Sequence, residues 1–185
     1  MRIRNIVILC LLLVGVISFG VIQGIVIPQL AENAEEYAED QLNPLTHDIT
    51  SVLKYRSKYM GDSGNITKLM ASLPLEIETS FQLFPDVFTL EVNYKSSISA
   101  LDQKHLETSL IYNATAAFSL IANLDAIHFN FEGISYKVKR SDVATWYGVD
   151  LSTLTNKETW HELVQSKLTD DDYVFRCMDA IFLKD

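Results

Sequence analysis

An uncharged apolar stretch near the N-terminus constrains this chain more than any other feature. From Ile6 to Ile27 the sequence reads IVILCLLLVGVISFGVIQGIVI, with no charged residue. A helix of about 22 residues spans about 33 Å, which matches the hydrocarbon core of a bilayer. The stretch therefore predicts an uncleaved transmembrane anchor. A signal peptide cleaved near Ser18-Phe19-Gly20 is the alternative, but such peptides usually have a shorter apolar run.

The charges on either side of this stretch predict its orientation. Arg2 and Arg4 precede it, and five acidic residues follow it between positions 32 and 40. Positive charge stays on the cytoplasmic side of a membrane, so we expect a cytoplasmic N-terminus and an exported remainder. Setting the two arginines aside leaves 13 of the 15 basic residues against 24 acidic ones. This excess of negative charge argues against nucleic acid as a partner.

Beyond the anchor, the sequence predicts a stalk and one folded domain. We expect residues 1–28 to form the cytoplasmic tip and anchor, 29–44 a helical stalk or linker, and 45–185 an extracytoplasmic domain. The segments DVFTLEVNY, AIHFNFE and ISYKVKR alternate apolar and polar residues in the manner of half-buried strands. FQLF is expected to pair with the first of them through a turn at Pro85-Asp86, and the other two are expected to form a hairpin at Gly133. The predicted fold class is α+β, with a small antiparallel sheet of about four strands packed against helices.

Helices are predicted from apolar spacing and from residues that favour helix ends. The segment LTHDITSVLKYRSKY (residues 45–59) has the spacing of a helix, and a long central helix is expected between Asp102 and Asn123. Asn65 and Ser141 are the expected N-caps of two short helices. Capping boxes at Thr155-x-x-Glu158 and Thr169-x-x-Asp172 predict two more.

The tetrapeptide Gly61-Asp62-Ser63-Gly64 has the letters that surround the nucleophile of chymotrypsin-like proteases. A serine nucleophile needs a histidine base and an aspartate that orients it. His47 is the only upstream histidine, and most of the earlier chain is predicted to be membrane and stalk. We therefore interpret the tetrapeptide as a turn, and retain Asp62 and Ser63 only as part of a possible binding surface.

Two further pairs of residues are candidates for a binding surface. Lys137 and Lys139 are expected on one face of a strand, where they could receive an anion or simply guard a solvated edge. Trp146 and Tyr147 could form an aromatic surface or pin a short helix to the core.

Metal-binding patterns are incomplete in this sequence. His161-Glu162 begins an HExxH motif, but position 165 is Gln, so the second ligand is missing. Asp170, Asp171 and Asp172 are explained by their position in the first turn of a helix, where negative charge is favourable. The sequence predicts no metal, no cofactor and no catalytic residue.

Three segments carry a resemblance to a known family. KYRSKYMGDSGNITKLMASLPL, LIANLDAIHFNF and SDVATWYGVDL, in this order, resemble the family called domain of unknown function 4825. The likeness covers residues 54–185, although the strand FTLEVNY lacks the Pro-Tyr-Gly start associated with that family. The resemblance implies an extracytoplasmic domain of Gram-positive bacteria, found behind an anchor or at the end of membrane metallopeptidases, and it transfers no catalytic residue.

These observations lead to one main functional hypothesis and two others. The main one is a membrane-anchored, non-enzymatic binding or sensing module of the bacterial cell envelope. An envelope hydrolase with an unrecognised site is the second. The third is an accessory subunit that packs onto another membrane or envelope protein, for which Gly20-x-x-x-Gly24 offers a close-packing face.

Overall fold

The computed structural model describes residues 3–185 and, at positions 4, 6, 9 and 10, the backbone alone. Arg2 lies outside the described residues, as does the side chain of Arg4. The α-helices of the described range are α1 (Ile3–Val21), α2 (Ile27–Leu42), α3 (Ser63–Ala71), α4 (Gln103–Leu120), α5 (Arg140–Tyr147), α6 (Lys157–Leu163) and α7 (Asp171–Ile181). The strands are β1 (Thr79–Phe84), β2 (Thr89–Ser97), β3 (Ala126–Glu132), β4 (Ile134–Lys139) and β5 (Phe182–Lys184).

The chain forms two units, the first ending at Glu39 and the second running from Asp40 to Asp185. The first unit consists of helix, with a π-helical stretch at Ile22–Val26 between α1 and α2. Residues 11–42 make the one described helix that is long and apolar enough to cross a membrane, and its most apolar part is fully exposed. This confirms that the N-terminal segment is a possible membrane helix. The predicted boundaries at residues 28 and 44 stay a prediction.

The second unit contains a sheet in which the described strands follow the order β1-β2-β3-β4-β5. The α+β class is confirmed, and the four predicted strands are joined by a short fifth strand at the C-terminus. β1 and β2 form the expected hairpin through Pro85–Val87, and β3 and β4 form the other through Gly133. The sheet is mixed, however, because β2 and β3 run parallel. A parallel pair needs a long crossover, and α4 provides it.

One face of the sheet carries the core and the other is polar. Leu90, Val92, Ile127 and Phe129 are buried, and α4 is buried along nearly its whole length. The polar face is linked across strands: Asn130 Nδ2 donates to Asn93 Oδ1 at 2.8 Å, and Ser135 Oγ donates to Asn130 Oδ1 at 2.5 Å. Period-two alternation therefore predicted most of the side chains that lie inside, but Phe88, which it also placed there, precedes β2 and is 42% exposed.

Several local predictions are wrong at helix ends. Residues 49–55 form a 3₁₀-helix, not an α-helix that continues to residue 59, because the chain turns extended at Arg56. Asp62, not Asn65, caps α3. α5 begins before Ser141, at Arg140, and its N-cap Lys139 supplies no side-chain cap. The N-caps predicted at Thr155 and Thr169 are each one residue too early, because Asn156 caps α6 and Asp170 caps α7.

A buried histidine near the start of the second unit connects that segment to α4. His47 is 1% exposed, and its Nε2 lies 2.9 Å from the carbonyl oxygen of Ser72. A carbonyl can only accept, so Nε2 carries the proton and Nδ1 accepts from the Tyr112 hydroxyl at 2.7 Å. Gln165 Nε2 donates to the carbonyl oxygen of His47 at 2.9 Å. Burial is the largest effect on the His47 pKa and lowers it below its ordinary value.

This histidine predicts acid sensitivity of folding. Above its ordinary pKa of 6.5, His47 is neutral in both the folded and the unfolded chain. As the pH falls below that value, the unfolded chain binds the proton first, because the folded-state pKa is lower. The free energy of unfolding should therefore decrease as the pH falls through 6.5. Urea denaturation of the full chain in mild detergent at a series of pH values measures this.

Two variants separate His47 from other titrating groups. His47→Gln should be less stable at neutral pH and should lose much of the decline below pH 6.5. His161→Gln, which changes an exposed histidine on α6, should keep the decline. An unchanged pH profile in His47→Gln would show that another group is responsible.

Candidate functional site

A basic cavity at the C-terminal end of α4 is the main candidate site in the described part of the chain. Its volume is about 590 Å³. It lies between the extended segment that follows residue 55, the end of α4 and the start of the 3₁₀-helix Leu151–Thr155. The lining residues are Arg56, Ser57, Lys58, Phe118, Ser119, Leu120, Ala122, Arg140, Asp150 and Ser152. We call this the basic cavity.

A short parallel bridge fixes one wall of the basic cavity. The backbone N–H of Ser57 donates to the carbonyl oxygen of Leu120 at 2.9 Å, and the N–H of Ala122 donates to the Ser57 carbonyl oxygen at 2.9 Å. The segment is extended here, so Arg56 and Lys58 flank Ser57 on the same side. Arg56 also donates to the Thr155 hydroxyl. The bridge thus places two exposed cations at the mouth of the cavity.

Arg140 forms the opposite wall and has a structural task of its own. Its Nε donates to the carbonyl oxygen of Leu124 at 2.7 Å, and its Nη2 donates to that of Ile121. The guanidinium lies 5.3 Å from the centre of the Phe118 ring. A cation here also complements the negative end of the α4 dipole. Since a guanidinium has five N–H groups, those not used in these two bonds remain for a ligand.

The charges around the basic cavity favour an anion. Burial lowers the pKa of Arg140, and Asp125 and Asp150 counteract this, but a guanidinium stays protonated at neutral pH. Asp150 is the one acidic lining residue, and hydrogen bonds from Ser152 lower the pKa of its carboxyl group. Among residues 3–185, none of the three lining cations lies within ion-pair distance of a carboxylate. With three cations against the one carboxylate of Asp150, the lining keeps an excess of positive charge on a chain of net charge −9.

The residues selected from the sequence lie in three other places. Asp62 accepts a hydrogen bond from Asn65 N at 3.0 Å, and Ser63 is exposed in the first turn of α3. His47 cannot activate Ser63 in this arrangement, because its two ring nitrogens bond to Tyr112 and Ser72. The turn therefore forms a helix cap.

Lys137 and Lys139 lie on the polar face of the sheet, as alternation predicted. Lys137 is half-buried and forms an ion pair with Asp185, whereas Lys139 is exposed. Their strand does not form the edge of the sheet, because β5 pairs with it on the side away from β3. The ion pair with Asp185 occupies Lys137, so this face presents less free positive charge than the basic cavity.

Trp146 and Tyr147 pack against other helices. Trp146 Nε1 donates to the Tyr173 hydroxyl at 2.7 Å, and the two rings meet edge to face. Thr115 Oγ1 lies 3.4 Å from the Tyr147 hydroxyl, and burial raises the pKa of Tyr147 well above its ordinary value. Both side chains thus join α5 to its neighbours, although Trp146 also borders a smaller cavity of about 330 Å³.

The described side chains form neither a metal-ligand cluster nor a reactive thiol. Within the described range, no three His, Cys, Asp or Glu side chains are arranged to hold a metal ion. Cys177 is buried in α7, and burial raises its pKa to about 12, so it is a protonated thiol at neutral pH.

Sequence reasoning missed the three cations of the basic cavity. Arg56-x-Lys58 has the spacing that places two side chains on one side of an extended segment, but this segment was assigned to a helix. Arg140 directly follows Lys139 in sequence, but it starts a helix and its side chain bonds to the segment at the end of α4. These residues come together only through the bridge from Ser57 to the end of α4, and no local sequence pattern predicts that bridge.

The comparisons with known proteins give one match. A family model described as "Domain of unknown function (DUF4825)" matches residues 52–157, which is more than half of the chain. No curated protein and no solved structure matches. All ten residues that line the basic cavity fall within the matched range, whereas each of the other four cavities includes residues outside it.

The two hydrogen bonds of Arg140 predict a stability effect. Arg140→Ala should lower the free energy of unfolding by roughly 2–4 kcal/mol, because it leaves the carbonyl oxygens of Ile121 and Leu124 without their charged donor. Lys139→Ala removes an exposed neighbouring charge and should change the free energy by less than about 0.5 kcal/mol. Urea denaturation of both variants measures the difference, and equal effects would contradict the assignment.

Proposed function

This chain belongs to the domain of unknown function (DUF4825) family, and we propose that it is a membrane-anchored, non-enzymatic module that binds an anionic ligand in the basic cavity. One observation carries the proposal. Three cations that make no ion pair surround a cavity of about 590 Å³ in a chain whose acidic residues outnumber its basic ones by nine. A cleft lined mainly by one sign of charge attracts ions of the other sign, so this local excess of positive charge supports an anion as the ligand.

The shape of the basic cavity narrows the kind of anion. Arg56 and Lys58 stand exposed at the mouth, and Arg140 belongs to the lining. Phe118 and Leu120 also belong to it but are each 1% exposed, so they offer a ligand little apolar surface. Guanidinium groups bind carboxylates and phosphates through paired hydrogen bonds. We therefore infer a ligand with a carboxylate or phosphate group.

Membrane attachment is the second part of the proposal. The apolar helix at residues 11–42 supports an anchor, and Arg2 and Arg4 favour a cytoplasmic N-terminus. The folded unit would then face the outside of the cell membrane. Together with the family resemblance, this suggests a module of the envelope of Gram-positive bacteria that senses or holds its ligand at the membrane surface.

A titration of the full chain in mild detergent tests the ligand. Citrate and inorganic phosphate serve as probes in isothermal titration calorimetry. The double variant Arg56→Ala/Lys58→Ala should bind at least about tenfold more weakly, because it removes two charged donors. The double variant Lys54→Ala/Lys68→Ala changes the net charge equally at exposed positions that do not line the cavity, and should bind as the native chain does. Equal weakening in both variants, or no binding by the native chain at about 10 mM probe, would count against the proposal.

Cysteine labelling in intact cells tests the orientation. Cys177 is buried and its thiol stays protonated, so it contributes little background reaction. Glu158→Cys places a thiol at an exposed position of α6. A membrane-impermeant maleimide should label this variant in intact cells as fully as in lysed cells. Labelling that requires lysis would place the folded unit in the cytoplasm and refute the proposed location.

A further inference from the structure

The first strand of the sheet presents an unprotected edge. Within the described chain, β1 has β2 as its sole neighbour in the sheet. Its sequence, TSFQLF, contains no charge and no proline across six residues. Exposed edges are normally blunted by charged residues, by proline or by bulges, because their free backbone groups invite another strand. β1 has none of these devices.

The hydrogen-bond register shows which backbone groups are free. Lys95 N donates to the Glu78 carbonyl oxygen at 3.0 Å, so these opposite residues form a hydrogen-bonded pair. Such pairs alternate along an antiparallel ladder. The N–H and C=O groups of the alternate residues Thr79, Phe81 and Leu83 therefore point away from β2. An incoming extended segment would find three donors and three acceptors in a row.

A cavity opens beside this edge. It has a volume of about 290 Å³, and Thr79 and Phe81 belong both to the strand and to its lining. Most of the other lining residues are apolar: Leu42, Met70, Ala71, Leu73, Leu75, Ile77, Val92 and Tyr94 complete the wall with Glu76. Side chains of a strand project alternately to its two sides. A segment added to β1 would thus direct alternate side chains toward this cavity.

The opposite edge of the sheet is protected. β5 has three residues, and its end is charged by Lys184 and Asp185. Asp185 is held by Lys137 and by two backbone hydrogen bonds with Ser135 at 3.0 Å. The β5 edge is therefore protected by its short length and its charges, whereas the β1 edge is open to another strand.

We propose that β1 and its cavity bind an extended segment of a partner protein, which adds a strand to the sheet and places a large apolar side chain in the cavity. Charge defines the flanks of this segment. Glu76 lies exposed in the lining, so a lysine or arginine beside the apolar residue is favoured, whereas Glu78 is already paired with Lys95. A second copy of the chain is disfavoured as the partner. In the antiparallel register that pairs Thr79, Phe81 and Leu83 of two copies, Glu76 of one copy would lie opposite Asp86 of the other, and these negative charges would repel each other. This surface is separate from the basic cavity, so the inference does not rest on anion binding.

A peptide of defined pattern serves as the probe. In the end-blocked peptide Lys-Thr-Val-Thr-Leu-Thr-Lys, the apolar and charged side chains share one face and the threonines the other. Fluorescence anisotropy of the labelled peptide should show binding to the full chain in mild detergent. N-methylation of the amides on one edge of the peptide should weaken binding at least tenfold, and N-methylation on the other edge should leave it nearly unchanged. If N-methylation on the two edges of the peptide changes binding to the same extent, strand addition is refuted.

Three variants locate the surface. Thr79→Pro removes an outward N–H at the first residue of an edge strand, where proline is tolerated, and should weaken binding at least tenfold. Glu76→Lys inverts the flanking charge and should also weaken it, whereas Glu132→Lys makes the same change on an exposed residue of the β3–β4 hairpin and should not. Far-ultraviolet circular dichroism checks that each variant is folded. Unchanged binding in folded Thr79→Pro, or a native dimer that this variant abolishes, would refute the proposed partner.

Discussion

The buried C-terminal end of α4 is the constraint on which this structure depends. A helix leaves its last carbonyl oxygens without partners inside the helix, and buried carbonyls need donors from elsewhere. Here the donors come from two distant parts of the chain. The backbone of Ser57 bonds to Leu120, and the guanidinium of Arg140 bonds to Ile121 and Leu124. Satisfying one helix end therefore brings together the segments that form the basic cavity.

Two parts of the same unit thus present different chemistry. The basic cavity offers positive charge at the end of a helix, while the β1 edge offers backbone hydrogen bonds beside an apolar wall. Both stand apart from the buried contacts of His47 with Tyr112, which hold the beginning of the domain to its central helix. Arg140 takes part both in stability and in the lining of the basic cavity, whereas Arg56, Lys58 and the β1 edge can be altered without removing these buried contacts.

The sequence allowed much of the fold to be predicted, because its signals were local. Alternation located three strands and most of their buried side chains, a proline turn predicted the pairing of a fourth, and Gly133 indicated the second hairpin. The predictions that failed depend on competition between neighbours or on distant partners. Asp62 lies next to other cap-forming residues, and the cap position depends on where the preceding chain turns. The parallel pairing of β2 with β3 and the meeting of Arg56 with Arg140 are long-range, so no short pattern encodes them.

The parallel pairing of β2 with β3 also determines the order in which the sheet can be completed. β2 ends at Ser97 and β3 begins at Ala126, with the whole of α4 between them. A ribosome makes the hairpin of β1 and β2 first, and a two-stranded hairpin is only marginally stable alone. Until α4 and β3 have emerged, that hairpin has two open sides, and contacts of such sequence separation form slowly. This interval is when association with a wrong neighbour is easiest.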